Sequence, residues 1–165
     1  MIKKNLKKLS KNISRKNLTK YIDQYIKIID DENNGLSELK VLNVGSGGDI
    51  EKYLREKFKF VKSIDIDQSR NPDQVIDICN KKELEQLTFR PDLICIFEVL
   101  EHTKNPISAV NNIFSILDKG GYVLFSSPFI FHIHDEPYDF YRFTKYGLKH
   151  LFRDFAKVEI FRSRT

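Results

Sequence analysis

The sequence predicts an α/β fold: a doubly wound, mostly parallel sheet with helices on both faces. Two observations predict it. From Lys40 onward, short apolar runs alternate with longer segments of helical periodicity, the signature of βα units around a parallel sheet. The first apolar run, Lys40–Val44, ends in Gly45-Ser46-Gly47-Gly48. Open α/β sheets bind ligands at such strand ends, where strand order reverses.

The elements follow in order. Residues 17–30 carry Leu18, Ile22, Tyr25, Ile26 and Ile29 on one helical face, and Asn33-Asn34-Gly35 ends that helix. Lys40–Val44 is a strand, and a helix follows the glycine turn over 49–57. Strands are expected at Phe60–Ile66 and over 74–78, with a short helix over 82–87. Leu93–Phe97 is continuously apolar, as a strand buried on both faces should be. Residues 106–118 form a helix with Ala109, Val110, Ile113, Phe114 and Leu117 inward. Lys119-Gly120-Gly121 turns the chain into a fifth strand, Tyr122–Ser126. A helix over 144–152 and a sixth strand over 155–162 complete the pattern. No internal repeat or low-complexity linker interrupts it.

Charge divides the chain differently. The net charge is +5, yet residues 1–22 contain eight Lys and Arg and no Asp or Glu, so the remainder is net negative. Residues 1–16 read as a basic arm and residues 17–165 as a single domain. Ile2, Leu6, Leu9 and Ile13 would give the arm an amphipathic helix. Such an arm either rests solvated on the domain or makes weak contact with an anionic membrane surface or nucleic acid. No stretch reaches the roughly 18 apolar residues of a membrane span, and the N-terminus has no secretory h-region. A cytoplasmic protein is therefore expected. Its two cysteines, Cys79 and Cys95, suggest neither a disulfide framework nor a zinc knuckle, and no structural metal is expected. Nothing in the sequence sets the oligomeric state.

The glycine turn lets backbone approach a ligand, and the helix after it presents free N–H groups and a positive dipole end. Asp65 closes the second strand, twenty residues after Gly45. A carboxylate there can accept both hydroxyls of a ribose; alternatively, Asp65 and Asp67 cap a turn. This much suits either a nicotinamide dinucleotide or S-adenosylmethionine. A dinucleotide loop wants a third glycine at position 50, which is Ile50.

Further motifs carry a resemblance. VLNVGSGGD (41–49), SIDID (63–67), DQVIDICN (73–80), FRPDLICIFEVLEH (89–102) and LDKGGYVLFSSPF (117–129) stand in order. Together, from Lys40 to about Phe155, they resemble class I S-adenosylmethionine-dependent methyltransferases of the type 11 and ubiquinone-biosynthesis-like group. The resemblance implies a Rossmann-like fold and S-adenosylmethionine as cofactor. It places Asn43, Gly45, Ser46 and Gly47 in the cofactor loop and makes Asp65 the ribose ligand, with Ile66 beside it. Asp77 would face the adenine amino group, with Ile78 against the ring, and Glu98 would contact the methionine part or cap its turn. Two departures stand out. Asn43 occupies a position where the family usually carries Asp or Glu. The family sheet also normally ends in a hairpin, so its last strand is expected to be missing here.

The segment HDEPYDFYRFTKYGL, 134–148, resembles one found in methyltransferases often encoded among bacterial surface-glycan genes. It suggests a small-molecule acceptor, with a sugar or glycan precursor as one class. His102 would orient the acceptor or take its proton, or else serve as a structural imidazole. His134 would be a base and Arg142 would hold the acceptor, with Tyr138 and Tyr141 walling the pocket. Asp139 and Arg142, three apart, would pair; on the alternative reading that pair merely staples the loop. Two other functions stay open: a non-catalytic or truncated methyltransferase-fold scaffold, and a nucleic-acid methyltransferase using the basic arm. No Asn/Asp-Pro-Pro-Tyr-type motif follows the fourth strand to favour the latter.

Overall fold

The computed structural model describes residues 18–31, 36 and 38–161. The basic arm, the Asn33-Asn34-Gly35 stop and the last four residues lie outside the described residues. Two compact units are present, Met1–Leu36 with Phe161–Thr165, and Ser37–Ile160.

In the first unit a helix, α1, covers residues 18–31. Ile22, Ile26 and Ile29 are its buried residues, spaced four and three apart as one face of a helix requires. The Tyr25 ring lies 5.1 Å from that of Phe161.

The second unit is the expected Rossmann-like α/β layer. Its strands are β1 (Lys40–Val44), β2 (Phe60–Asp65), β3 (Gln74–Val75), β4 (Leu93–Phe97) and β5 (Tyr122–Ser126). They form one sheet in the order β3-β2-β1-β4-β5, every pair parallel. The helices of this unit are α2 (Gly48–Lys57), α3 (Lys81–Leu84) and α4 (Pro106–Ile116), between strands, and α5 (Lys145–Leu151), after β5. From β1 the chain steps outward to β2 and β3, then returns to lay β4 on the other side of β1. Right-handed crossovers then place α2 on one face and α4 on the other.

Side-chain alternation agrees. Leu42, Val44, Ile64, Ile94 and Ile96 enter one core cluster with Leu84 of α3, Ala109, Val110 and Ile113 of α4, and Leu151 of α5. Val41, Leu93 and Cys95 point the other way and are equally buried. The helix starts are fixed by short polar caps. Asn105 accepts from the Ser108 N–H at 3.0 Å with Pro106 as the first helical residue, and Thr144 accepts from Gly147 at 3.0 Å.

Several expectations need correction. The third strand is only two residues long, and the helix after it stops at Leu84. Phe114 is 46% exposed rather than inward; it sits at the margin of the apolar stripe and leans edge-on against Phe155 at 5.1 Å. The sixth strand does not form among the described residues, and 157–161 run irregularly. Phe155 and Val158 pack against the core, a spacing of three that a strand's period of two cannot supply.

Candidate functional site

The site is built where strand order reverses, at the carboxyl ends of β1 and β4. Gly45 leaves β1 at φ 91°, and its N–H donates to the Ile64 carbonyl at 2.9 Å. A Cβ there would stand 2.6 Å from Cγ2 of Val99, the second residue after β4. The crevice between the two halves is thus closed down to glycine size at its floor.

The two sides of the loop are tied through Asp65. The Ser46 N–H donates to Oδ2 of Asp65 at 2.8 Å, and the Asp67 N–H to Oδ1 at 2.9 Å. Each oxygen thereby keeps acceptor capacity, since a carboxylate offers about four lone-pair sites. Ile66, next along the chain, is 69% exposed. Asn43 is buried, and its Nδ2 donates to the Gly45 carbonyl at 2.8 Å, so this side chain braces the loop. Asp77 spends Oδ1 on the Cys79 N–H at 2.8 Å. Ile78 is 5% exposed and lies inside the core cluster, leaving it little surface for a ring.

A residue that the sequence reading passed over completes the loop. Glu51, one turn into α2, accepts from the Gly47 N–H at 2.6 Å and lies 3.0 Å from the Ser46 hydroxyl. It also meets Arg55 at 2.6 Å, and Arg55 reaches Asp73 at 2.7 Å. Burial alone would raise the pKa of Glu51, but donation from Gly47, Arg55 and Ser46 outweighs it and holds the carboxyl below its ordinary value. Asp73 is held low in the same way: burial raises it, and Arg55 and the Ser63 N–H more than offset that. The available signal was an acid in the first turn of a helix followed four residues later by Arg. A shallow, open depression of about 430 Å³ lies over this clasp, lined in part by Gly47, Gly48, Glu51 and Arg70.

On the other side of the crevice, β4 is followed by Glu98 at φ 57°, the left-handed region that non-glycine residues seldom occupy. Its carboxylate accepts from the Ser126 hydroxyl at 2.8 Å, and protein around that carboxylate raises its pKa although the residue as a whole is exposed. Leu100–His102 then form a short 3₁₀ turn. This turn buries Glu101 completely, and neither carboxylate oxygen makes a hydrogen bond of good geometry among the described residues, although the buried Ser127 hydroxyl stands beside it. Burial pushes Glu101 up to about 8. Its backbone carbonyl takes the N–H groups of Phe140 and Tyr141 at 2.9 and 3.1 Å, docking the loop after β5 onto the β4 end. Nothing in the run EVLEH distinguishes Glu101 from Glu98 until the turn buries one and not the other.

That docking brings His134 to His102, with ring centroids 4.8 Å apart. Nδ1 of His102 lies 2.9 Å from the Tyr138 carbonyl, and Nδ1 of His134 lies 3.1 Å from Asp139. Arg142 grips Asp139 bidentately at 2.5 and 2.8 Å, and its remaining contacts go to the carbonyls of Tyr141 and His132. Arg142 and the contacts around it hold the Asp139 carboxyl well below the usual range. The pair therefore staples its own loop. Tyr138 is 57% exposed, and Tyr141 stacks on Phe143 at 5.6 Å, so neither is packed as core.

A family model described as "Methyltransferase domain" matches residues 2–159. The chain belongs to this methyltransferase domain family. No curated protein matches it. Solved structures resembling this methyltransferase domain include the N-methyltransferase NodS from Bradyrhizobium japonicum WM9. NodS in complex with S-adenosyl-L-homocysteine is 19% identical over 63% of this chain and 60% of that one, with a TM-score of 0.45. A second NodS structure is 19% identical over 66% and 67%, with a TM-score of 0.48. Coclaurine N-methyltransferase bound to N-methylheliamine and S-adenosyl-L-homocysteine is 18% identical over 62% and 34%, with a TM-score of 0.45. The methyltransferase domain thus spans 60% of the NodS chain in the first of these and about a third of the coclaurine enzyme. Among the described residues, no helix is long and apolar enough to cross a membrane.

Proposed function

We propose that this domain transfers the methyl group of S-adenosylmethionine to a small-molecule acceptor, with a sugar or surface-glycan precursor as the class. One observation carries the reading. Asp65 is fixed by the Ser46 and Asp67 N–H groups at the strand-order reversal, with acceptor capacity left on both oxygens. That is a preorganised receptor for two vicinal hydroxyls, and the exposed Ile66 beside it offers an apolar face to a base. Gly45, Ser46 and Gly47 would contact the cofactor by their backbone, and Asp77 keeps one carboxylate oxygen for the adenine amino group. The two free cysteines suit the cytoplasm.

Methyl transfer is an in-line displacement at a sulfonium carbon, and the sulfur's charge disappears as the bond forms. The chain's contribution is mainly alignment and exclusion of water, and alignment alone is worth about 7–11 kcal/mol. An oxygen acceptor gains a further ~10²–10⁴-fold from a base. His102 and His134 stand at the β4 side of the crevice and serve as that base or orient the acceptor. In this reading Asp139 and Arg142 position His134 rather than touching substrate.

Isothermal titration tests the cofactor. Wild-type protein should bind S-adenosylmethionine, and Asp65→Ala should weaken binding by roughly 10²-fold or more, as expected for two hydrogen bonds to a charged group. No binding at millimolar cofactor sinks the proposal; unchanged affinity in Asp65→Ala sinks the ribose assignment. A second reading, a scaffold that keeps the fold without turnover, is favoured by Asn43, which replaces the family's acid and spends its amide on Gly45. Cofactor binding without methylation of any hydroxyl- or amine-bearing acceptor would select it.

A further inference from the structure

We propose that Glu101, His102 and His134 form a binding site for a divalent transition-metal cation of the Zn²⁺ type. One ligand atom from each of the three lies within 4.8 Å of the others. Nε2 of His102 and Oε1 of Glu101 are 3.9 Å apart. Donors at ~2.0–2.2 Å from a tetrahedral cation stand about 3.4 Å from one another.

A second, independent observation points to a ligand. Glu101 is fully buried, and neither carboxylate oxygen makes a hydrogen bond of good geometry among the described residues; the Ser127 hydroxyl beside it is buried and equally without such a bond. Buried polar groups are almost always satisfied, and a cation between this carboxylate and two imidazoles satisfies it.

The surroundings of the imidazoles fit the same role. His102 Nδ1 faces only the Tyr138 carbonyl, which must accept, so that nitrogen carries the proton. His134 Nδ1 faces the Asp139 carboxylate at 3.1 Å and the His132 carbonyl at 3.3 Å, and both accept. In the neutral imidazole each ring therefore carries its proton on Nδ1, and Nε2 is the nitrogen that can ligate a metal. Metal-binding histidines recurrently hand their other N–H to a carbonyl or carboxylate in this way. The site also explains why Arg142 is spent on Asp139: the pair holds His134 in its tautomer and orientation.

The donor set excludes the hard cations. Mg²⁺ and Ca²⁺ favour oxygen ligands, whereas two imidazoles and a carboxylate suit Zn²⁺, Co²⁺ or Fe²⁺. Three protein ligands leave a coordination position open. Where this open position meets an acceptor, the inference rests on the proposed methyl transfer. With both imidazoles bound, an acceptor hydroxyl meets a Lewis acid rather than a free imidazole base.

The test reads metal binding without cofactor or acceptor, so its failure leaves the S-adenosylmethionine titration standing, and the reverse. The whole chain, stripped with chelator, is titrated with Co²⁺. One equivalent should bind with the intense visible bands of a four- or five-coordinate ion. Glu101→Gln and His134→Ala should each weaken binding at least tenfold, while His150→Ala, exposed on α5, should leave it unchanged. X-ray absorption of the Zn²⁺-loaded wild type should show two imidazoles and no sulfur, and this readout does not depend on the variants folding. Absence of binding at millimolar metal overturns the proposal. So does sulfur scattering from Cys79, or affinity unchanged in Glu101→Gln and His134→Ala.

Discussion

At the scale of single residues, the glycine loop after β1 depends on two contacts that a conservative substitution would invert. Asn43 is buried and donates to the Gly45 carbonyl. Asn43→Asp restores the family's usual acid but removes the donor and sets a carboxylate against a carbonyl. It should cost about 1–3 kcal/mol of stability, the penalty of an unsatisfied buried group. Urea denaturation checks this, and an unchanged midpoint would show that the brace contributes nothing. Gly45→Ala meets two obstacles at once, the φ of 91° and the 2.6 Å approach to Val99 Cγ2. A double-mutant cycle separates them: Val99→Ala should relieve the clash but not the backbone strain, giving partial rescue and a coupling of roughly 0.5–3 kcal/mol. Additive effects would mean that strain alone decides. Asp65 was legible in the sequence because a strand end fixes its position. Glu51 and Glu101 were not, because their roles come from where a helix turn and a 3₁₀ turn aim them. Their residue types alone, one in a helix's first turn and one in an apolar run, do not announce a site.

At the scale of elements, α2 is held to the sheet by a clasp of Glu51, Arg55 and Asp73, with the Ser63 N–H donating to Asp73 at 2.7 Å. Both carboxyl groups have folded pKa values below their ordinary ones. The unfolded chain therefore binds more protons than the folded chain as acid is added. The clasp's contribution is present above about pH 4.5, where the carboxylates of the unfolded chain are ionised. It is lost as pH falls through the lower folded values. Urea midpoints should fall on acidification, and the fall should be shallower in Glu51→Gln, which has already lost one titrating partner. Identical pH profiles for the two proteins would remove Glu51 from the argument. The elements differ in how legible they were for a physical reason. β1 and β4 are buried on both faces, so their apolar runs stand out, whereas β2 is buried only at Val61, Ser63 and Ile64. β3 lies at the sheet edge with two paired residues and leaves almost no pattern. Residues 155–161 alternate like a strand, yet Phe155 and Val158 meet the core three apart, and no ladder among the described residues pairs them.

At the scale of the whole molecule, the crevice divides the sheet into two halves, β3-β2-β1 and β4-β5, that meet along one ladder from Val41↔Leu93 to Val44↔Ile96. Fold class follows from the alternation of strands and helices, which acts over the whole chain, while the strand order came from the structure. The acid and imidazole cluster instead depends on a loop docking from β5 onto the end of β4, a contact between distant segments that no local pattern records. The same division makes a prediction about the bound state. A ligand that touches the Gly45 loop, Asp65 and the Glu98 turn binds only when both halves are in place, so it binds the folded state alone. At a hundred times its Kd, S-adenosylmethionine should then stabilise the fold by about 2.7 kcal/mol. For a chain of this size that corresponds to a rise in Tm of roughly 5–10 °C. If Asp65 holds the ribose as proposed, Asp65→Ala should lose the rise, while Glu101→Gln, on the other half of the sheet, should retain most of it. Thermal unfolding followed by circular dichroism makes the measurement. If the ligand raised Tm equally in wild type and Asp65→Ala, the cofactor would be held by something other than the strand-order crevice, and the coupling between the halves would have to be sought elsewhere in the sheet.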